Sequence, residues 1–189
     1  METLILDWKD LIKTGITDDD VALDWTARAV DNSGIRHWVI IAKADGISAI
    51  EEGALALHQI GTELSGGHGF QVHLSKKDGE AIKKGEVLVR IEGTSQVVLG
   101  LERTFLNLAG YVCGIATETA RLVELVRAKN LKNTPRVTHT RKILPGYRNL
   151  AIHGVTCGGG SPHRTSLAGG ILLKENHIAA AGGIQRAIE

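Results

Sequence analysis

The spacing of apolar positions changes several times along the chain, and each change predicts a different element. Leu4, Ile5, Trp8, Leu11 and Ile12 recur at helical spacing, which predicts a polar, helical segment over residues 1 to about 30. Asp18, Asp19 and Asp20 precede the apolar run Val21–Val30. Acids there suit the capped, positive end of a helix better than a metal. The run WVIIAK, Trp38–Lys43, is dense in β-branched residues and predicts a buried strand. Helical spacing returns over Ile50–Ile60, with Gly61 where a helix would stop. Phe70–Ser75 predicts a short strand, and Asp78-Gly79 and Lys84-Gly85 predict hairpin-like turns. The lysines around those turns (Lys76, Lys77, Lys83 and Lys84) read as solvated charges.

The longest helical pattern covers Gln96–Lys129. Val97, Leu101, Phe105, Leu108 and Val112 trace one apolar face, and Ile115, Leu122, Leu125 and Val126 a second. Gly110 and Gly114 predict a break between them, since a glycine costs about 1 kcal/mol in a helix interior. Unbroken, the helix would run about 50 Å. The expected domain boundary lies at this break: residues 1–112 form one α/β domain and 113–189 begin another. After Pro135 three short runs, Arg136–Thr140, Ile152–Cys157 and Gly170–Leu173, predict parallel strands of βα repeats. Three such strands cannot close a barrel, and parallel sheets need covered faces and edges. The expectation is a truncated form of a longer protein, or a sheet completed by a partner.

Charge singles out that last segment. The fifty residues between Glu124 and Glu175 contain no Asp or Glu, yet nine Lys or Arg and three His. Without those nine, the chain has 13 bases against 21 acids, although its overall net charge is +1. Each predicted strand ends in basic chemistry: Arg141-Lys142, then His163-Arg164 beyond the glycine run Gly158–Gly160, then Lys174. The carboxyl ends of parallel strands are where α/β folds build sites, and such a field attracts a small, multiply charged anion. The glycine run would let backbone approach a ligand.

Composition narrows the rest. With 43% hydrophobic and 23% charged residues, the chain is globular. No apolar run approaches the roughly 20 residues a membrane helix needs, and the first ten residues lack the basic start of a signal peptide. Cys113 and Cys157 read as buried free thiols in a reducing compartment. A cytoplasmic protein is expected. Few aromatics and none interleaved with the basic residues argue against nucleic acid.

Four strings in register carry a resemblance: ERTFLNLAGYVCGIAT at 102–117, THTRKILPGYR at 138–148, GGGSPHR at 158–164 and LLKENHIAAAGGI at 172–184. Together they resemble the quinolinate phosphoribosyltransferases, also called carboxylating nicotinate-nucleotide pyrophosphorylases, from about Gly79 to the last residue. The resemblance implies an N-terminal α/β sandwich domain followed by part of a TIM-like α/β barrel, and a homodimer whose sites borrow from the neighbouring subunit. It implies a glycosyltransferase of NAD biosynthesis that joins quinolinate to phosphoribosyl pyrophosphate with Mg²⁺. The products are nicotinate mononucleotide, pyrophosphate and CO₂. Arg141, His163 and Arg164 match the clamp for the substrate carboxylates. Lys142 and Lys174 match positions between substrate and phosphoribosyl phosphates, with Lys142 also catalytic. Arg103 matches an arginine that reaches the partner's site, where the resemblance implies a substrate-binding and catalytic role. No Mg²⁺ ligand is assigned, because the only acids after Lys132 are Glu175 and Glu189. The 189-residue product alone is therefore expected to turn over little. Arg148, His153 and His177 read as structural.

Two positions depart from the family's usual pattern: His139 stands where Asp is usual, and Pro162 where Asn is. The Gly-Gly-Gly-x-Pro-His-Arg form is also similar to a paralogue associated with molybdenum transport. A different phosphoribosyl or anion substrate, or a non-catalytic anion-binding fragment, thus stays open, while Lys174 within LLKENH favours the quinolinate enzyme.

Overall fold

The computed structural model describes residues 6–30 and 34–189. Leu4 and Ile5, predicted to join the first helix, lie outside them. Helix α1 (Trp8–Asp18) starts at Asp7, whose carboxylate accepts the Asp10 N–H while the Asp10 carboxylate accepts the Asp7 N–H. This reciprocal cap starts the helix, and Trp8, Leu11 and Ile12 bury its inner face. The triple aspartate caps nothing downstream: Asp18 ends α1, and Asp20 turns left-handed with φ 47°. The run Val21–Val30 then divides into a 3₁₀ turn (Val21–Leu23) and α2 (Trp25–Ala29). The division falls at Asp24, whose carboxylate takes the Ala27 N–H at 2.8 Å. A carboxylate inside the run wins that backbone group and restarts the helix there.

Three strands, β1 (Arg36–Ile41), β3 (Gln71–Leu74) and β5 (Val87–Gly93), form an antiparallel sheet in the order β1-β5-β3. Trp38 and Val72 lie opposite Ile91, and Ile40 and Leu74 opposite Val89. All six share one face because the side-chain period is two. Helix α3 (Glu51–Leu64), α1 and α4 (Ser95–Arg127) complete that core. Along β1 the other face meets solvent. Strand β1 is therefore not buried as predicted: Val39 and Ile41 are 47% and 40% exposed, as an antiparallel edge strand allows.

The predicted turns are present, with Gly79 and Gly85 at φ 79° and 90°. Their flanking strands nevertheless pair elsewhere. Strand β4 (Ala81–Ile82) joins β2 (Gly46–Ile47), while β3 joins β5. Two of the turn lysines are paired, Lys83 with Asp45 at 2.9 Å and Lys76 with Glu86 at 3.3 Å.

Helix α4 runs 33 residues without the predicted break. Gly110 and Gly114 face open space on its exposed side. One stripe stays buried throughout, from Leu101, Phe105, Leu108 and Val112 to Ala116, Thr119 and Val123. Packing along that stripe outweighs the roughly 2 kcal/mol that two glycines cost. Leu122 and Leu125 of the predicted second face are exposed instead.

The last third departs most from the strand expectation. Ile152–Cys157 lies inside helix α5 (Arg148–Cys157), Gly170–Leu173 has no regular structure, and the first run supplies a single parallel bridge, Thr138 to Ser161. Leu150, Ala151, Gly154 and Val155 are buried at helical spacing, which short periodicity had concealed. A Cβ on Gly154 would lie 2.8 Å from the Val112 carbonyl, and one on Gly158 would collide with the Ala116 carbonyl. The start of the glycine run thus serves close helix approach, not the ligand contact predicted for it. Helices α6 (Glu175–Ala181) and α7 (Ile184–Ile188) follow.

Candidate functional site

The bridge between Thr138 and Ser161 brings two loops side by side. Ser161 donates its N–H to the Val137 carbonyl at 2.8 Å. Beyond it, one segment carries Arg141 and Lys142 and the other His163 and Arg164. Lys174 arrives from the residue before α6, where its N–H donates to His177 Nδ1 at 3.1 Å. Five of the six predicted site residues (Arg141, Lys142, His163, Arg164 and Lys174, but not Arg103) line one cleft of about 530 Å³, with Thr138, His139, Thr140 and Leu172. Among the described residues, no carboxylate lines it. The convergence foreseen for strand tips is achieved by loops.

Within the cleft the two arginines are half-buried, while Lys142, His163 and Lys174 are exposed. One Arg164 terminal nitrogen donates to the Gly170 carbonyl at 2.8 Å. That bond holds the guanidinium while leaving its other donors available. Arg141 presents a buried Nε with no hydrogen-bond partner among the described residues. A buried, unmatched guanidinium donor is costly unless an acceptor arrives. A carboxylate or phosphate oxygen is the natural acceptor, because the guanidinium fork matches its geometry.

His139 was not predicted as a site residue, yet it ties the cleft together. It is buried, at 8% exposure. Its Nε2 accepts the His163 N–H at 3.0 Å, and its Nδ1 faces the Thr140 carbonyl at 3.1 Å. The accepting nitrogen must carry a lone pair, and the one facing a carbonyl must carry hydrogen. These are the bonds of the neutral Nδ1–H tautomer. The sequence signal was present as an unusual His directly before Thr-Arg-Lys, but its burial was not legible.

Arg103 lies elsewhere. It is exposed on α4, away from the cleft. Its neighbour Glu102 borders a separate, largely apolar cavity of about 460 Å³, together with Val39, Ile41, Phe105 and Leu106. Arg148 is exposed at the start of α5, while His177 Nδ1 accepts the Lys174 N–H at the start of α6, a structural contact.

Comparison with known proteins gives a consistent result. Residues 24–127 match the family described as quinolinate phosphoribosyl transferase, N-terminal domain, and residues 115–189 its C-terminal domain. A probable nicotinate-nucleotide pyrophosphorylase [carboxylating] of Archaeoglobus fulgidus is 40% identical over 80% of this chain and 55% of its own length. The corresponding Bacillus subtilis protein is 35% identical over 96% of this chain and 60% of its own. The human nicotinate-nucleotide pyrophosphorylase [carboxylating] is 30% identical over 94% of this chain and 57% of its own. The chain thus spans under two thirds of these relatives. Among solved structures, NadC from Streptococcus pyogenes superposes with a TM-score of 0.80 at 30% identity, over 95% of this chain and 61% of that one. The Ehrlichia chaffeensis nicotinate-nucleotide pyrophosphorylase superposes with a TM-score of 0.81 at 26% identity, over 100% of this chain and 65% of that one. The α/β fold class with a distinct N-terminal domain is as the sequence led one to expect.

Proposed function

The chain belongs to the quinolinate phosphoribosyltransferase family, and from that premise we propose that its cationic cleft binds quinolinate for phosphoribosyl transfer and decarboxylation. The observation that carries this reading is the cleft itself: four Lys or Arg side chains and a histidine, no acid among the described lining residues, and a buried arginine donor without a partner among the described residues. Quinolinate carries two adjacent carboxylates on a pyridine ring. Arg141 and Arg164 suit them, being the half-buried forks, while the exposed Lys142 and Lys174 suit the phosphate oxygens of phosphoribosyl pyrophosphate.

In this reaction the pyridine nitrogen forms a bond to the anomeric carbon as the bond from that carbon to pyrophosphate breaks, its electron pair leaving with pyrophosphate. Lys142 and Lys174 stabilise the charge that grows there, and the arginines hold the ring aligned for attack. The quaternised ring nitrogen then accepts electron density as the C2–carboxylate bond breaks. CO₂ leaves, and a proton replaces it on the ring. Mg²⁺ is proposed as the companion of the pyrophosphate donor. The described residues lining the cleft do not fit it as protein ligands, since none of them is a carboxylate.

The family relationship and the exposed apolar residues Val39 and Ile41 beside α4 support a homodimer in which Arg103 reaches the neighbouring cleft. The family relationship by itself also supports a TIM-like barrel begun by residues 113–189 and a cytoplasmic location. No helix among the described residues is long and apolar enough to cross a membrane. Calorimetric titration of quinolinate tests the reading. Arg141→Ala and Arg164→Ala should each weaken binding at least tenfold, while Arg28→Ala, far from the cleft, leaves it unchanged. Equal affinity for all variants, or no quinolinate binding by the unaltered protein, would sink the proposal.

A further inference from the structure

On the opposite end of α5 from Arg148, three unlike donors meet. We propose that Asp78, His153 and Cys157 form a site for one divalent transition-metal ion of the zinc class. Their ligand atoms all lie within 4.8 Å of one another. Asp78 Oδ2 is 2.8 Å from His153 Nε2, and Cys157 Sγ is 3.4 Å from the same nitrogen. Bonds of about 2.0–2.3 Å in a tetrahedral zinc site place N and O roughly 3.4 Å apart and N and S roughly 3.6 Å apart. Small side-chain rotations therefore suffice to admit an ion.

Several independent features favour the ion over a simple hydrogen-bonded cluster. Nε2 has either one hydrogen or one lone pair, yet both the carboxylate and the sulfur converge on it. A metal at the centre serves all three. His153 and Cys157 stand four apart on α5, so one helix face presents both. The carboxylate is already oriented from outside, because Asp78 Oδ1 accepts the Glu51 N–H at 3.0 Å. Such outer bonds fix ligands in built metal sites. The turn is seated too, with Gly79 donating to the Ser48 carbonyl at 2.8 Å. Side-chain exposures of 20% for Asp78 and 24% for His153 leave an entry path and room for a fourth ligand such as water. One nitrogen, one carboxylate oxygen and one thiolate sulfur suit zinc far better than magnesium or calcium. Burial, and then the negative charge of Asp78, push the Cys157 thiol up to about 12, so an entering ion must displace its proton.

The ion would staple the Asp78-Gly79 turn to the last turn of α5, just ahead of the loop that carries His163 and Arg164. Its role is structural, and it stands independently of the quinolinate reading because the test needs no substrate. Metal-stripped protein titrated with Co²⁺ should show thiolate-to-cobalt absorption that saturates at one equivalent. Cys157→Ser should abolish that band and Cys113→Ser retain it, while Asp78→Asn should weaken binding at least about tenfold. On the unaltered protein, Zn²⁺ should slow alkylation of Cys157, followed by peptide mass spectrometry, at least tenfold. The proposal is overturned by no saturable band, by a band that survives Cys157→Ser or vanishes with Cys113→Ser, or by Zn²⁺-independent labelling of Cys157.

Discussion

Replacing His139 by Leu should loosen the cleft without touching any of its cations. The substitution removes the acceptor of the His163 N–H (3.0 Å) and the donor to the Thr140 carbonyl (3.1 Å). Thr140 and His163 are both exposed residues, but the His163 N–H points at a ring only 8% exposed, so a leucine there leaves it part-buried and only partly reached by water. One poorly served donor costs about 1–3 kcal/mol. A stability loss of about that size should appear in urea denaturation. The segment bearing His163 and Arg164 then loses a tether, and quinolinate affinity should fall roughly tenfold, equivalent to about 1.4 kcal/mol. His139→Asn offers both an acceptor and a donor and should recover much of the affinity. His139→Asp restores only an acceptor, beside cations it would partly neutralise, and should fall between. Nitrogen-15 NMR of the unaltered protein should show the Nδ1–H tautomer. Leu, Asn and Asp variants that lose affinity equally would reduce His139 to packing, and an unchanged Leu variant would refute the tether altogether.

Three further predictions rest on other parts of the fold. Gly158→Ala drives a methyl into the Ala116 carbonyl and should cost about 1–3 kcal/mol, roughly 2–4 °C of Tm per kcal/mol. Gly110→Ala, facing open space, should instead raise Tm slightly; equal effects would discredit the α4–α5 contact. If Arg103 serves the neighbouring cleft, then in a version of the enzyme that spans the full length of the relatives, co-expressing an Arg103→Ala chain with an Arg141→Ala chain should restore some nicotinate mononucleotide formation through hybrid sites, and failure in every combination removes Arg103 from the reaction. Lys9, at 2.8 Å, and Lys13 hold the Glu63 carboxyl below its ordinary 4.5. A lowered carboxyl stabilises the fold above the unfolded value and loses that contribution as pH falls through the folded one. Glu63→Gln should therefore be less stable than the unaltered protein at neutral pH, with the gap closing on acidification, and a gap independent of pH would contradict the pairing.

Much of the chemistry was legible without coordinates. Amino-acid order alone placed Arg141, Lys142, His163, Arg164 and Lys174 in an acid-free stretch, and charge density does not depend on how that stretch folds. The same holds for the inner face of α1, for β3 and for most of α3, although α3 runs through Gly61, where its end was expected, to Leu64 because Gly61 packs against Phe70. What the sequence could not convey was anything decided by partners distant along the chain. Ile152–Cys157 reads as a strand until α4 offers the groove that Gly154 and Gly158 are shaped to enter. Gly110 and Gly114 read as a break until a continuous buried stripe holds the helix through them. His139 became a tether only when burial aligned both its nitrogens, and Asp78 met His153 and Cys157 only through tertiary contact. Local composition determined which groups this protein can use; long-range packing, which trades propensity against burial over many residues at once, decided where they meet.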